Sequence, residues 1–367
     1  MKILYFSLDY TPHDHRFLSA LAETEHTVFY LRLQRGLRQT EDKPVPANIE
    51  QIVWPGGRGE FRWSDVPLLT SSLKQILHKV KPDLVHAGPI QTCAFITILT
   101  GFRPTLTMSW GFDLMEDAYR NRCWKWVTGY TLKRSTFFTS DAEVTRQRAI
   151  EFGMNPERIV VFPWGVDLLH FSPDVSRDSE GEDRGLTLFC NRSWEPRYGV
   201  DVLIKAFIAI CRKKDDIRLL LLGDGSQAAF IRQVLEREGI SDRVVFAGTI
   251  NSTNLPRWYR SADLYISPSH VDGSSVSLME ALACGIPCLV SDIPANKEWV
   301  SEGKNGWLFP DGDSNALAAK VLHIYEMRRS LDKVCAAARV TAEEKANWKK
   351  NFSTLLNTYQ RMVSAHA

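Results

Sequence analysis

Short apolar runs alternate with helix-spaced stretches along this chain, and that alternation argues for a doubly wound, parallel α/β architecture. The run IRLLLLGDGSQ (217–227) is the plainest case. Its lack of polar alternation fits a strand covered by helices on both faces. KILYFSL (2–8), HTVFYLRL (26–33), PDLVHAG (82–88), PTLTMSWGFD (104–113), RIVVFPWGVDLLHF (158–171), LTLFCN (186–191), RVVFAGTINS (243–252) and ADLYISPS (262–269) read the same way, some running on into turns. Between them Leu69, Leu73, Ile76, Leu77 and Val80, and later Val202, Leu203, Ala206, Phe207 and Ile210, keep helical spacing. A chain of 367 residues exceeds one comfortable core, so two domains are expected. The polar, acidic stretch 172–185, without periodicity, is the best linker between them.

Composition excludes several classes. A net charge of +2 gives no basic footprint for nucleic acid. The seven cysteines are scattered, and Cys284-x3-Cys288 has no matching pair downstream, which argues against zinc and for reduced thiols in a cytosol. MKILYFSLDY begins a strand rather than a signal peptide, and no stretch approaches the roughly 20 apolar residues of a membrane span. Work at a membrane would therefore need surface attachment. Residues 120–134 suit that, because Trp124, Trp126 and Tyr130 mix with Arg120, Arg122, Lys125, Lys133 and Arg134.

The chemistry concentrates in 269–291, which reads as loop, helix, turn and strand. Gly273 permits a sharp turn, and Ser274 or Ser275 suits the N-cap. Gly285 and Pro287 stop the helix before the apolar strand Cys288–Val290. A helix that opens on Gly273, Ser274, Ser275 and Val276 presents free N–H groups and a positive dipole end to an anion. Asp272 and Glu280 flank it, placed to face hydroxyls at opposite ends of a ligand. Near the N-terminus, His13, Asp14, His15 and Arg16 crowd the turn after the first strand, with a helix expected from about Phe17.

The Asp272-x7-Glu280 spacing resembles the Glu-x7-Glu signature of retaining glycosyltransferases of family four, which have the GT-B fold. Pro163-x-Gly165-Val166-Asp167-x3-Phe171 is similar to that family's inter-domain junction, and Arg192 matches the Arg of its Gly-Arg-x4-Lys-Gly loop. The Lys position holds Tyr198, with Arg197 beside it. The family's His-Gly-x-Asp segment appears as Trp110-Gly111-Phe112-Asp113.

The resemblance implies two Rossmann-like doubly wound domains facing across a cleft, 1–170 and 171–342, with a closing helix at about 343–367 packing back on the first. It implies a diphosphate held by Arg192, Arg197 and the helix start, Asp272 on the sugar, Glu280 on the ribose and the backbone near Ile250 on the base; Gly223 and Gly225, read on their own, let the backbone come near the donor. Arg16, His86, Trp110 and Asp113 would touch sugar or acceptor. No metal and no cofactor beyond the donor would be required. The implied reaction moves a sugar from a nucleotide-diphosphate sugar to a glycan or lipid-linked acceptor with retention, in polysaccharide or glycolipid synthesis. The enzyme would be cytoplasmic, with a peripheral place on the inner face of the membrane. A nucleotide-sugar 2-epimerase and a non-catalytic sugar-nucleotide-binding partner remain open as alternatives.

Overall fold

The computed structural model describes residues 1–36, 41, 43–173 and 185–365. The chain divides into two units, Met1–Phe162 with Phe352–Ala367, and Pro163–Asn351. Among the described residues the first unit carries β1 (Lys2–Ser7), β2 (Thr27–Arg32), β3 (Glu50–Gln51), β4 (Leu84–Ala87), β5 (Thr105–Met108), β6 (Phe137–Ser140) and β7 (Ile159–Val161). They form one parallel sheet in the order β3-β2-β1-β4-β5-β6-β7. The second unit carries β8 (Thr187–Cys190), β9 (Arg218–Leu222), β10 (Val244–Gly248), β11 (Leu264–Ser267), β12 (Cys288–Ser291) and β13 (Gly306–Phe309), parallel in the order β10-β9-β8-β11-β12-β13.

Both sheets are covered on both faces, which is why their strands lack polar alternation. In the second unit Leu188, Leu219, Leu221, Leu264 and Ile266 meet Leu203, Phe207 and Ile210 of the Val200–Cys211 helix. Phe189, Tyr265 and Cys288 point the other way, onto Leu278 and Leu282 of the Val276–Ala283 helix. Each fully buried Leu or Phe contributes about 1.5–3 kcal/mol. In the first unit Leu69, Leu73 and Leu77 fill one face of the Val66–Val80 helix and pack on Leu4, Phe6 and Val85.

Two elements differ from the sequence expectation. The first helix begins at Pro12, not near Phe17. Thr11 Oγ1 accepts from the Asp14 amide, and Asp14 Oδ2 accepts from the Thr11 amide at 2.9 Å, so a capping box with proline in the first turn starts it early. The final helix is split into Asp332–Lys345 and Trp348–Ser364. The break exists because Ala346 and Trp348 turn to Val166, whose N–H donates to the Ala346 carbonyl at 2.8 Å and whose carbonyl accepts from the Trp348 amide at 3.2 Å. Gly165 leaves room for this, since a Cβ there would sit 2.8 Å from the Ala346 oxygen.

That pairing ties 163–171 to the second unit, so the boundaries fall after Phe162 and Asn351 instead of 170 and 342. Apart from its terminal residues, the expected linker 172–185 lies outside the described residues.

Candidate functional site

The order of the second sheet places its topological switch between β8 and β11: the chain runs outward through β9 and β10, then crosses back to β11. Ligands of open parallel sheets bind beyond the strand ends at that point. Arg192 leaves the end of β8, and Asp272 lies in the loop after β11. Their side chains meet, Arg192 Nη2 donating to Asp272 Oδ2 at 2.7 Å. Arg192 Nη1 donates to Ser275 Oγ at 2.8 Å and Ser277 Oγ at 2.9 Å. Ser275, not Ser274, caps the Val276–Ala283 helix by accepting from the Leu278 amide. The Tyr198 ring lies 4.3 Å from the guanidinium carbon of Arg192. Tyr265 fixes Ser277 from below with its hydroxyl at 2.9 Å.

The cation is held in place electrostatically as well as by contact. Arg192 is 10% exposed and Asp272 15%. Burial works against the charged guanidinium, yet Asp272, Tyr265 and Tyr198 hold its pKa above the ordinary value. Burial pushes the Asp272 carboxyl up, opposed by Arg192, the Gly273 amide and Ser275. The site thus holds a guanidinium at a helix start, shared between the Asp272 carboxylate and the hydroxyls of Ser275 and Ser277.

Glu280 is 7% exposed and accepts from the Tyr259 hydroxyl at 2.8 Å. That hydroxyl accepts in turn from Asn191 Nδ2 at 2.8 Å. Tyr259 and Asn191 did not stand out in the sequence, although a tyrosine at an apolar helix position signals a buried hydroxyl in need of partners. Arg197 contributes its carbonyl, accepting from the His270 amide at 2.9 Å, and so pins the 192–199 loop to the loop after β11. Tyr198, which fills the family's lysine position, is the side chain that meets Arg192.

Gly225 serves the protein's own packing: a Cβ there would lie 2.5 Å from the Trp194 carbonyl. Val276 opens the helix, half-buried, while Gly273 and Ser274 are buried beside it. Ile250 lies half-buried beyond β10, against the same core cluster as Val276.

Two residues of the first unit expected near the ligand, His86 and Asp113, are buried. His86 is 1% exposed, with Nδ1 2.6 Å from the Tyr359 hydroxyl and its ring against Tyr5 and Phe17. It lies within β4, in register with Tyr5, and turns into the core instead of standing at the strand end. Asp113 is wholly buried and accepts from Ser109 Oγ, the Trp110 amide and the Ile90 amide, which makes it a brace for two loops. Trp110 is half-buried, its ring perpendicular to that of His13 at 6.1 Å. Arg16 lies one turn along the helix from His13.

These buried groups make stability pH-dependent. Burial lowers His86 from 6.5 to about 3, so below pH 6.5 only the unfolded chain takes up its proton, and stability is lost as pH falls toward 3. Burial raises Asp113 from 3.8 to about 6, so the folded chain protonates first and gains stability as pH falls through that window. Thermal melts of variants separate the two. His86→Gln is expected to lose less stability than the parent between pH 6.5 and 3, and Asp113→Asn to lose more between 6 and 3.8.

Comparison with known proteins places both units. The sequence model of "Glycosyltransferase Family 4" matches residues 13–169, and that of "Glycosyl transferases group 1" matches residues 174–341. A phosphatidyl-myo-inositol mannosyltransferase of Mycobacterium leprae is 30% identical over 180 residues, 48% of this chain and 47% of that protein. A D-inositol 3-phosphate glycosyltransferase of Paenarthrobacter aurescens is 27% identical over 222 residues, 58% of this chain and 54% of that one. The chain spans about half the length of these curated relatives.

Among solved structures, a sucrose-phosphate synthase of Thermosynechococcus elongatus superposes with a TM-score of 0.84 at 17% identity, covering 100% of both chains. HepE of Anabaena, in complex with UDP and glucose, does so at 0.80 and 18% identity, covering 98% of this chain and 100% of that one. With consecutive family matches over both units and two Rossmann-like parallel sheets, this chain belongs to glycosyltransferase family four and has the GT-B fold.

Proposed function

We propose that this chain transfers a sugar from a nucleotide-diphosphate sugar to an acceptor hydroxyl, with retention at the anomeric carbon, in the synthesis of a cell-surface polysaccharide or glycolipid. The observation that carries the reading is the clamp of Arg192 between Asp272 and the Ser275–Ser277 helix start, at the switch point of the second sheet. A fixed guanidinium and a helix dipole are worth most when the leaving diphosphate carries its developing charge. Asp272, held through one oxygen by Arg192, positions the sugar. Glu280, braced by Tyr259, holds the ribose. No side chain acts as nucleophile: the departing phosphate oxygen takes the proton of the incoming hydroxyl on the same face. Similar proteins support the substrate classes, since HepE is in complex with UDP and glucose and two relatives are a phosphatidyl-myo-inositol mannosyltransferase and a D-inositol 3-phosphate glycosyltransferase.

Incubation with UDP-, GDP- and ADP-sugars, followed by NMR of the anomeric and C2 centres of the product, tests the reading. Transfer with retention supports it. Inversion at C1, C2 epimerisation without acceptor, or donor binding without turnover would each overturn it. Transfer is expected to persist in EDTA, because Arg192 and the helix start carry the neutralising charge. Tyr259→Phe is expected to raise the donor KM about tenfold with little change in kcat, as the hydroxyl to a buried carboxylate is lost. Steady-state kinetics checks this, and an unchanged KM would remove Glu280 from the donor site.

A further inference from the structure

The glycine-rich stretch Pro55-Gly56-Gly57-Arg58-Gly59 follows β3 and has no part in the donor chemistry proposed above. It closes over the chain that leaves β2. The Trp54 indole N–H donates to the Arg32 carbonyl at 2.7 Å, the Gly57 amide to the Leu33 carbonyl at 2.6 Å, and the Arg35 amide to the Gly59 carbonyl at 3.1 Å. Gly57 has φ +71, and a Cβ there would lie 2.7 Å from the Arg32 carbonyl oxygen, so glycine is what lets the two segments approach this closely. Between these pinned segments lies a cavity of about 280 Å³. Pockets for small molecules begin at roughly 300 Å³, so the space suits a single sugar unit. β2 and β3 are parallel neighbours, and the cavity lies at their carboxyl ends, where open parallel sheets take their ligands.

The lining is cationic. Arg32, Arg35 and Arg58 contribute to it, and no acid does so among the described residues. Arg32 is answered by Asp9, wholly buried at 3.3 Å. Arg35 donates its Nε–H to the Gly57 carbonyl at 2.7 Å, which orients its guanidinium. Neither Arg35 nor Arg58 has an acidic partner among the described residues, and Glu50 and Glu60, the nearest acids in sequence, stand outside the lining. Two guanidinium groups in one small cavity repel each other, and an anion between them removes that cost. The guanidinium fork matches a phosphate or a carboxylate through two parallel N–H bonds. Gln51, exposed at the end of β3, adds an amide that both donates to and accepts from hydroxyls. Tyr30 and Trp54, both buried, form the aromatic part of the lining.

We propose that this cavity binds an anionic sugar, with Arg35 and Arg58 on its phosphate or carboxylate and Gln51 on its hydroxyls. The site stands on the first unit alone. Joined to the transfer proposed above, on which this one step rests, the occupant is a charged unit of the acceptor, and the acceptor class narrows to glycans that bear phosphate or uronic acid.

Isothermal titration of the full chain with glucose 6-phosphate, glucuronate and glucose, with and without saturating UDP, tests it. At least one anionic sugar is expected to bind and glucose not to, and the tighter of the two identifies the group the site takes. Arg35→Gln with Arg58→Gln should weaken that binding about tenfold or more, the loss typical of one hydrogen bond to a charged group, with an unchanged thermal melt. Arg58→Gln alone should weaken it too, and decides the matter if the double variant melts early, because Arg58 is exposed and outside the bonds that pin the loop. UDP and Arg192→Ala should leave the binding unchanged. Equal binding of glucose, no binding of either anionic sugar, displacement by UDP, or binding lost in Arg192→Ala and kept in the double variant would each overturn the proposal. Binding by a chain that transfers no sugar would sink the transfer reading and leave this site in place.

Discussion

Arg192→Ala is expected to lower kcat/KM for sugar transfer by about 10²–10³-fold, the loss typical when one donor to developing charge is removed from a preorganised site. The structure adds a second consequence. Asp272 would be left mostly buried without its cation, which typically costs about 3–5 kcal/mol. The two effects are separable. Arg192→Met combined with Asp272→Asn removes both charges, so its melting temperature should recover toward the parent value while transfer stays lost. If Arg192→Ala kept transfer within about tenfold of the parent, the clamp would not be the diphosphate site, and the reading built on it would fail.

Gly199→Ala should be the most damaging small substitution near the site. Gly199 has φ +60 between the turn Pro196–Tyr198 and the Val200–Cys211 helix. That conformation costs an alanine about 1–2 kcal/mol. A Cβ there would also lie 2.1 Å from the Pro268 carbonyl, in the loop that carries Asp272. Relief of the clash requires the loop after β8 to move away from the loop after β11, and the Arg192–Asp272 contact with it. A destabilisation of about 2–4 kcal/mol is expected, a fall of roughly 5–15 °C in the melting temperature of a unit this size. Transfer should drop even at temperatures where the variant is fully folded. A melt and a rate both equal to the parent's would show that the two loops are not in the contact described.

Much of the fold was legible because strands of a covered parallel sheet must be apolar on both faces, as Leu219–Leu222 and Cys288–Val290 are. The helix start at Ser275 was legible from local chemistry alone, a small polar cap after glycine. The early start of the first helix was equally local, in Thr11-Pro12-x-Asp14, but histidines and an arginine in that stretch resembled a polar turn. The break at Ala346–Asn347 had no local signal, because its cause is Val166, some 180 residues away in sequence.

His86 and Asp113 show the same limit in the site. Each sits near a strand end in a segment that matches or adjoins a family motif, and each is consumed by the core: His86 by Tyr359 and Asp113 by Ser109, Trp110 and Ile90. Whether a polar side chain near a strand end faces ligand or core depends on which residues of other segments pack there. Tyr259 is the converse, an ordinary helix residue until its hydroxyl is found between Asn191 and Glu280.

Periodicity made the doubly wound architecture legible and local capping chemistry the polar helix start at Ser275, while the family resemblance supplied the order of the motifs and the residues of the candidate anion site. That Arg192 and Asp272, 80 positions apart, share one ion pair emerged from the packing of the loops after β8 and β11. The same packing set Tyr198 on the guanidinium and brought Trp63 to the Arg122–Arg134 helix. Contacts of that range are set by how sheets and helices pack, and packing distances are not written in local spacing.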